Sequence, residues 1–149
     1  MKPLCPALLL VLVLVLTLPL PAAAVQSPRR GVECRVFSKL YNNWHSQAAP
    51  KIDHPTIAQA FTEQLGSDVS ALNLQDPTLQ TIQQQLVSGL QAMAEVFKNI
   101  REGQLVGDPY VLERNLPYLQ SLTASLNLNT KQLNDYCKGV WGYRALPVE

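Results

Sequence analysis

Residues 76–137 read DPTLQTIQQQLVSGLQAMAEVFKNIREGQLVGDPYVLERNLPYLQSLTASLNLNTKQLNDYC, and this stretch decides the fold. In its first half Leu79, Ile82, Leu86, Met93, Val96 and Ile100 return at alternating steps of three and four, with Gly89 in the one vacant slot. Leu90 and Phe97 widen the stripe, which makes it the broad core-facing side of an amphipathic helix and not a narrow zipper seam. Asp76-Pro77 is a start signal. The carboxylate accepts the first unpaired N–H groups, and the proline's fixed φ suits the first turn. Asp108-Pro109 repeats the device ahead of a second stripe, Leu112, Leu116, Leu119, Leu126, Leu133 and Tyr136, with Leu122 beside it. Pro117 falls inside that pattern and predicts a kink or a restart one turn in. Glu102-Gly103 ends the first helix, and the connection to Asp108 is short enough to force a reversal.

Working outward, a shorter helix fits 32–47. Val36, Phe37, Leu40, Tyr41 and Trp44 lie on one face, and Arg35, Lys39, Asn42 and Asn43 on the other. Trp44 reads as core, and Ala48-Ala49-Pro50 ends the helix. A second short helix is expected over 55–65, capped by Asp53 or His54, with Pro55 at its first position, a stripe of Ile57, Phe61 and Leu65, and Gly66 as the stop. Residues 67–75 form a polar linker that lies against the core through Val69, Leu72 and Leu74. The tail after Cys137 is aromatic and punctuated by Gly139 and Gly142, too short for another long helix.

The front of the chain reads differently. Met1-Lys2, an unbroken apolar run from Leu8 to Leu16, and Ala22-Ala23-Ala24 have the three parts of a secretory signal peptide over 1–24. The apolar run is shorter than the ~20 residues a membrane span needs. Residues 25–31, with the dibasic pair Arg29-Arg30, are expected as a solvated lead-in, and 32–149 as a single helical domain that is secreted and extracellular. Without Lys2 the chain carries as many basic as acidic residues. Near-neutral charge argues against a nucleic-acid partner and against a polybasic membrane-surface peptide.

With Cys5 in the leader, Cys34 and Cys137 remain, and an even count in an oxidising compartment predicts one disulfide. That bridge tests topology. Bridged Cα atoms lie about 5.5 Å apart, whereas helices 77–102 and 109–137 are each roughly 40 Å long. The start of helix 32–47 therefore sits at the end of the bundle where helix 109–137 exits. Helix 77–102 must then run parallel to helix 32–47, with segment 48–75 as a crossover holding one short helix. A long crossover followed by a short reversal begins an up-up-down-down all-α bundle.

The run from Gly89-Leu90 through Phe97-Lys98-Asn99-Ile100-Arg101-Glu102, the Asp-Pro restart, and Leu126 to Cys137 resemble helices B and C of the interleukin-6 type of four-helix cytokine, in the leukaemia inhibitory factor and oncostatin M branch. A cysteine ending helix C and bridging to one just before helix A is similar as well. The resemblance covers about half of the chain beyond the leader and rests on loose helical patterns. It implies a cytokine-like ligand with growth factor activity whose polar outer faces of helices A and C contact the family's shared signal-transducing receptor chain. Here those faces carry Arg35, Lys39, Asn42 and Asn43 on the first helix and Gln120, Asn127 and Lys131 on the last. The pattern also departs from the family, whose members end in a long fourth helix with a Phe-and-Lys receptor patch near its start. Nothing after Cys137 can form that helix, so no such patch is carried over. Either the bundle is an incomplete, three-helix form with an open apolar groove, or the tail and the 55–65 helix fill the gap.

Chemistry for catalysis is missing from the pattern. His45 and His54 have no cysteine or carboxylate at metal-ligand spacing, and no nucleophile elbow, phosphate loop or dinucleotide fingerprint occurs. The expectation is a binding protein with no catalytic residues, no cofactor and no metal. A different class, a secreted carrier enclosing an apolar ligand in the open groove, stands as the alternative.

Overall fold

The computed structural model describes residues 28–48 and 54–148. They form four helices, α1 (Pro28–Ala48), α2 (Pro55–Ser70), α3 (Pro77–Leu105) and α4 (Val111–Cys137), with no strand among the described residues. The leader over 1–24, Pro50 and Asp53 lie outside them. None of these helices is long and apolar enough to cross a membrane.

Helix α1 begins earlier than its apolar stripe. Residues 28–31, expected as lead-in, are its first turn, with Pro28 at the position where a missing N–H costs nothing. Arg30 fastens that turn: its guanidinium lies 4.5 Å from the centre of the Tyr136 ring and donates to the Tyr136 carbonyl at the end of α4. A cation there meets an otherwise unpaired carbonyl and the negative end of the helix dipole. Arg29-Arg30 is therefore part of the fold. Trp44 is core-facing as expected, edge-on to Phe61 at 5.1 Å, with its indole N–H donating to Asp68 at 2.9 Å. Val36, assigned to the same stripe, is turned outward.

In α2, His54 is the cap, its Nδ1 accepting from the Thr56 N–H at 3.3 Å. Gly66 does not stop the helix, which continues to Ser70. It packs towards α3, where an added Cβ would make an ordinary contact with Leu90 at 3.5 Å. Gly103 is likewise inside α3, and a Cβ there would fall 2.7 Å from Val111 Cβ. The chain turns instead at Gly107, in the left-handed region at φ 74°. Asp76 caps α3 as the Asp-Pro signal predicts, accepting from Thr78 and Leu79. Asp108 does something else. It accepts from the Tyr110 N–H at 3.0 Å and pairs with Arg114, so that α4 starts at Val111 and not at Pro109. Pro117 sits within one continuous helix.

At one pole of the bundle the start of α1, the start of α3 and the end of α4 meet. Cys34 and Cys137 are bridged, with Cα atoms 5.7 Å apart. The two carboxylate oxygens of Glu33 accept the N–H groups of Gln75 and Asp76, each at 3.0 Å. The Tyr136 hydroxyl donates to Asp76 at 2.7 Å. So α1 and α3 run parallel, and α4 runs against both. The Gln83 amide donates to the carbonyls of Val69 and Leu72, while Gly66 lies against Leu90 farther up α3, so α2 descends along α3. The three long helices keep the up, up, down order. The crossover itself is a packed, descending helix, and counted as a member it makes all four directions alternate.

The core gathers at this pole and the middle of the bundle. Phe37, Val69, Leu79 and Leu133 are almost fully covered and pack with the bridge, Leu65 and Leu86. The disulfide spans a sequence separation of 103 residues, for which the chain-entropy estimate is roughly 4–5 kcal/mol.

Glu33 is buried and joins two helix starts through backbone donors, so Glu33→Ala strands two N–H groups. A loss of about 2–4 kcal/mol is expected, read as a lower urea midpoint at unchanged slope. Glu33→Gln keeps one acceptor and should cost less than half of that.

Candidate functional site

The residues after Cys137 are the feature around which a surface is built. Two tight turns, closed by the N–H of Val140 on Cys137 O and that of Tyr143 on Val140 O, fold the chain back over the bundle. Gly139 and Gly142 supply the left-handed conformations at φ 81° and 76°. A Cβ at Gly142 would also press on Arg35 Cδ at 3.1 Å. The tail then runs in the outer seam between α1 and α4.

Polar residues on both banks hold it there. On α1 the Ser38 hydroxyl donates to Arg144 O at 2.6 Å and accepts from the Arg144 N–H at 3.2 Å. Arg35 donates to Trp141 O at 3.2 Å. On α4 the Asn134 amide treats the tail as a strand partner would: its nitrogen donates to Leu146 O at 2.9 Å and its oxygen accepts from the Leu146 N–H at 2.8 Å. The Tyr143 hydroxyl donates to the same oxygen at 2.7 Å. Leu146 is buried, which gives the tail an apolar anchor beyond these bonds. Burial of the Tyr143 phenol pushes its pKa up to about 12.

The residues expected to form a receptor face divide in this arrangement. Arg35 and Asn42 point along the seam: Arg35 holds the tail, and Asn42 donates to the carbonyl and hydroxyl of Ser38. Both are half-buried. Lys39 and Lys131 stand exposed on the two outer banks, one on α1 and one on α4. Asn127 is half-buried one turn above Lys131, whereas Asn43 and Gln120 are exposed. Gln120 lies two turns above Asn127 on the same side of α4.

Sequence reasoning missed Ser38, Asn134, Trp141 and Arg144. A signal existed in the polar residues Ser38 and Asn134, which sit beside the cysteines at helical spacing (i+4 from Cys34, i−3 from Cys137) where apolar residues would be expected against a fourth helix. Trp141 is 88% exposed at the tip of the tail. Charge is also segregated. Arg35, Lys39, Lys131, Lys138 and Arg144 lie along or beside the seam, while the carboxylates of α2, upper α3 and the α3–α4 turn lie elsewhere. Asp135 lines the groove between α3 and α4, with Thr78 and Gln132.

Among the described residues no group of His, Cys, Asp and Glu is placed to hold a metal ion. Grooves of about 500 Å³ beside Glu33 and about 600 Å³ between α3 and α4 flank the bridged pole. At the other pole Leu112 and Leu116, assigned to the core stripe of α4, are exposed together with Leu105, Val106 and Tyr118. Helix α1 ends too soon to cover them.

Because the folded pKa of Tyr143 lies above the usual tyrosine value, its contribution to stability is whole below pH 10 and fades as pH rises towards 12. Ultraviolet titration should find Tyr143 ionising well after the exposed tyrosines, with Tyr136 also delayed by burial and by its bond to Asp76. In Asn134→Ala, which removes the tail's clamp, the Tyr143 step should move towards pH 10 and residues 139–148 should become sensitive to protease.

No family model matches the chain, and no curated protein or solved structure matches it.

Proposed function

We propose that the chain is a secreted helical ligand that engages a cell-surface cytokine receptor through the outer face shared by α1 and α4. The observation that carries this reading is the α1–α4 seam. A disulfide and a clamped tail hold two helices at fixed spacing, and their solvent-facing banks present Lys39 and Lys131. A rigid polar face costs little to order on binding, which suits recognition by a preformed partner. The leader-like first segment and the resemblance over 89–137 support the extracellular setting and the receptor class. The signal-transducing chain shared by the interleukin-6 family is the partner this reading names.

The carrier reading took its motive from a groove left by a missing helix. Helix α2 covers α3 and the tail occupies the α1–α4 seam, so a carried apolar ligand would have to use the grooves beside Glu33 and between α3 and α4 or the exposed residues around Leu112 and Leu116.

Surface plasmon resonance against ectodomains of the shared receptor chain tests the proposal. The wild-type protein should bind, and Lys39→Glu with Lys131→Glu should weaken binding by about tenfold or more. Leu112→Ser with Leu116→Ser, at the far pole, should leave it unchanged. Loss of binding in the far-pole variant alone, or no binding by any protein, would overturn it.

A further inference from the structure

The α1–tail–α4 face carries more positive charge than a neutral chain needs to spend on one side. Lys39, Lys131, Lys138 and Arg144 are all exposed, and none pairs with a carboxylate among the described residues. Lys98 and Arg114, by contrast, are paired with Glu95 and Asp108 on the other half of the molecule. Arg35 adds a fifth cation within the seam, held to Trp141 O. Glu33 is consumed by the backbone of Gln75 and Asp76, so Asp135, one turn from Lys131 on α4 and at the edge of the α3–α4 groove, is the one carboxylate beside these cations among the described residues. A total charge of only +1 thus conceals a local positive field, and low-salt attraction follows the local field.

Trp141 narrows the class of partner. Its indole is 88% exposed, yet its backbone is pinned by Arg35 and bracketed by the two left-handed glycines, so the ring is presented from a fixed point. Its chain neighbours are Val140 and Gly142, and the side chain bonded to its carbonyl is the cation Arg35. A flat ring among unpaired cations suits a polymer that offers both anionic groups and the apolar faces of sugar rings. An indole with an apolar body can stack on such a face while its neighbours meet the charges. We infer that this face binds a sulfated polysaccharide, with Lys39, Lys131, Lys138 and Arg144 on the sulfates and Trp141 against a sugar ring. This binding is independent of the receptor reading, although the two surfaces overlap at Lys39 and Lys131.

The test is calorimetric titration of the full secreted protein with a size-defined heparin oligosaccharide at several salt concentrations. Two variants carry equal charge changes. Lys39→Ala/Arg144→Ala removes two cations from the face, and Lys98→Ala/Arg114→Ala removes two from elsewhere. The face variant is expected to lose affinity by about tenfold or more, from the usual gain per cation near an anionic surface, and to show a shallower salt dependence. The distant variant should stay within about twofold of wild type. Indole emission should change on binding in the wild type and not in Trp141→Phe, because Trp44 is packed against Phe61 and bonded to Asp68. Fully desulfated heparin should not bind. Equal losses in both variants would show a response to net charge alone and overturn the inference. No heparin binding, with receptor ectodomain binding still lost in the face variant, would make the face an acidic-protein contact and overturn it too.

Discussion

A bond between two residues 103 positions apart holds the front of this chain against the exit of its last helix. Everything near that pole takes its geometry from it. With Cys34 and Cys137 joined, α1 must start where α4 stops, and α3, reversed from α4 by a short turn, must start there too. The Glu33 carboxylate completes the meeting point by accepting two backbone donors at the head of α3. Arg30 does the complementary work on the foot of α4, placing positive charge against its last carbonyls. An acid at a helix head and a base at a helix foot are each favoured by the same dipole argument. One turn of α1 supplies both.

The tail depends on this pole in turn. It leaves directly from Cys137, so its origin is fixed by the bridge, and its path is fixed by Ser38 and Asn134. Each of these side chains both donates to and accepts from the tail backbone, which lets an irregular segment lie on a bundle without stranding its polar groups. Asn134 is suited to this because its amide has one donor and one acceptor side by side, the same pair a peptide unit presents. Leu146 adds the apolar component. The outcome is a seam filled by eleven residues or so of turn and strap.

The sequence made the helices legible and the surface much less so. Apolar spacing and the Asp76-Pro77 cap located α3 because both act within one or two turns of chain. The bridge gave the relative directions of α1, α3 and α4, since a fixed distance between far-apart residues excludes the other arrangements. The misreadings have local causes. Gly66 and Gly103 resemble stop signals, but in the fold they are contact points for Leu90 and Val111, and a glycine's role as gap or as terminator depends on what packs on it. Asp108 pairs with Arg114, an alternative the cap pattern cannot weigh. Of the residues expected to face a receptor, Lys39 and Lys131 are presented on the banks of the seam, while Arg35 and Asn42 are drawn inward by a tail whose path no periodicity encodes.

Along its length the bundle is unequal. One pole combines a covalent cross-link, capped helix ends and most of the fully covered side chains. The other ends in a two-helix reversal around Gly107, with Leu105 and Val106 left 79% and 83% open to water. Local opening follows covered area and long-range ties, so amide protection should decline steadily from the knotted end to the free turn. The tail and its basic face are thereby mounted at the end of the bundle that carries the covalent tie.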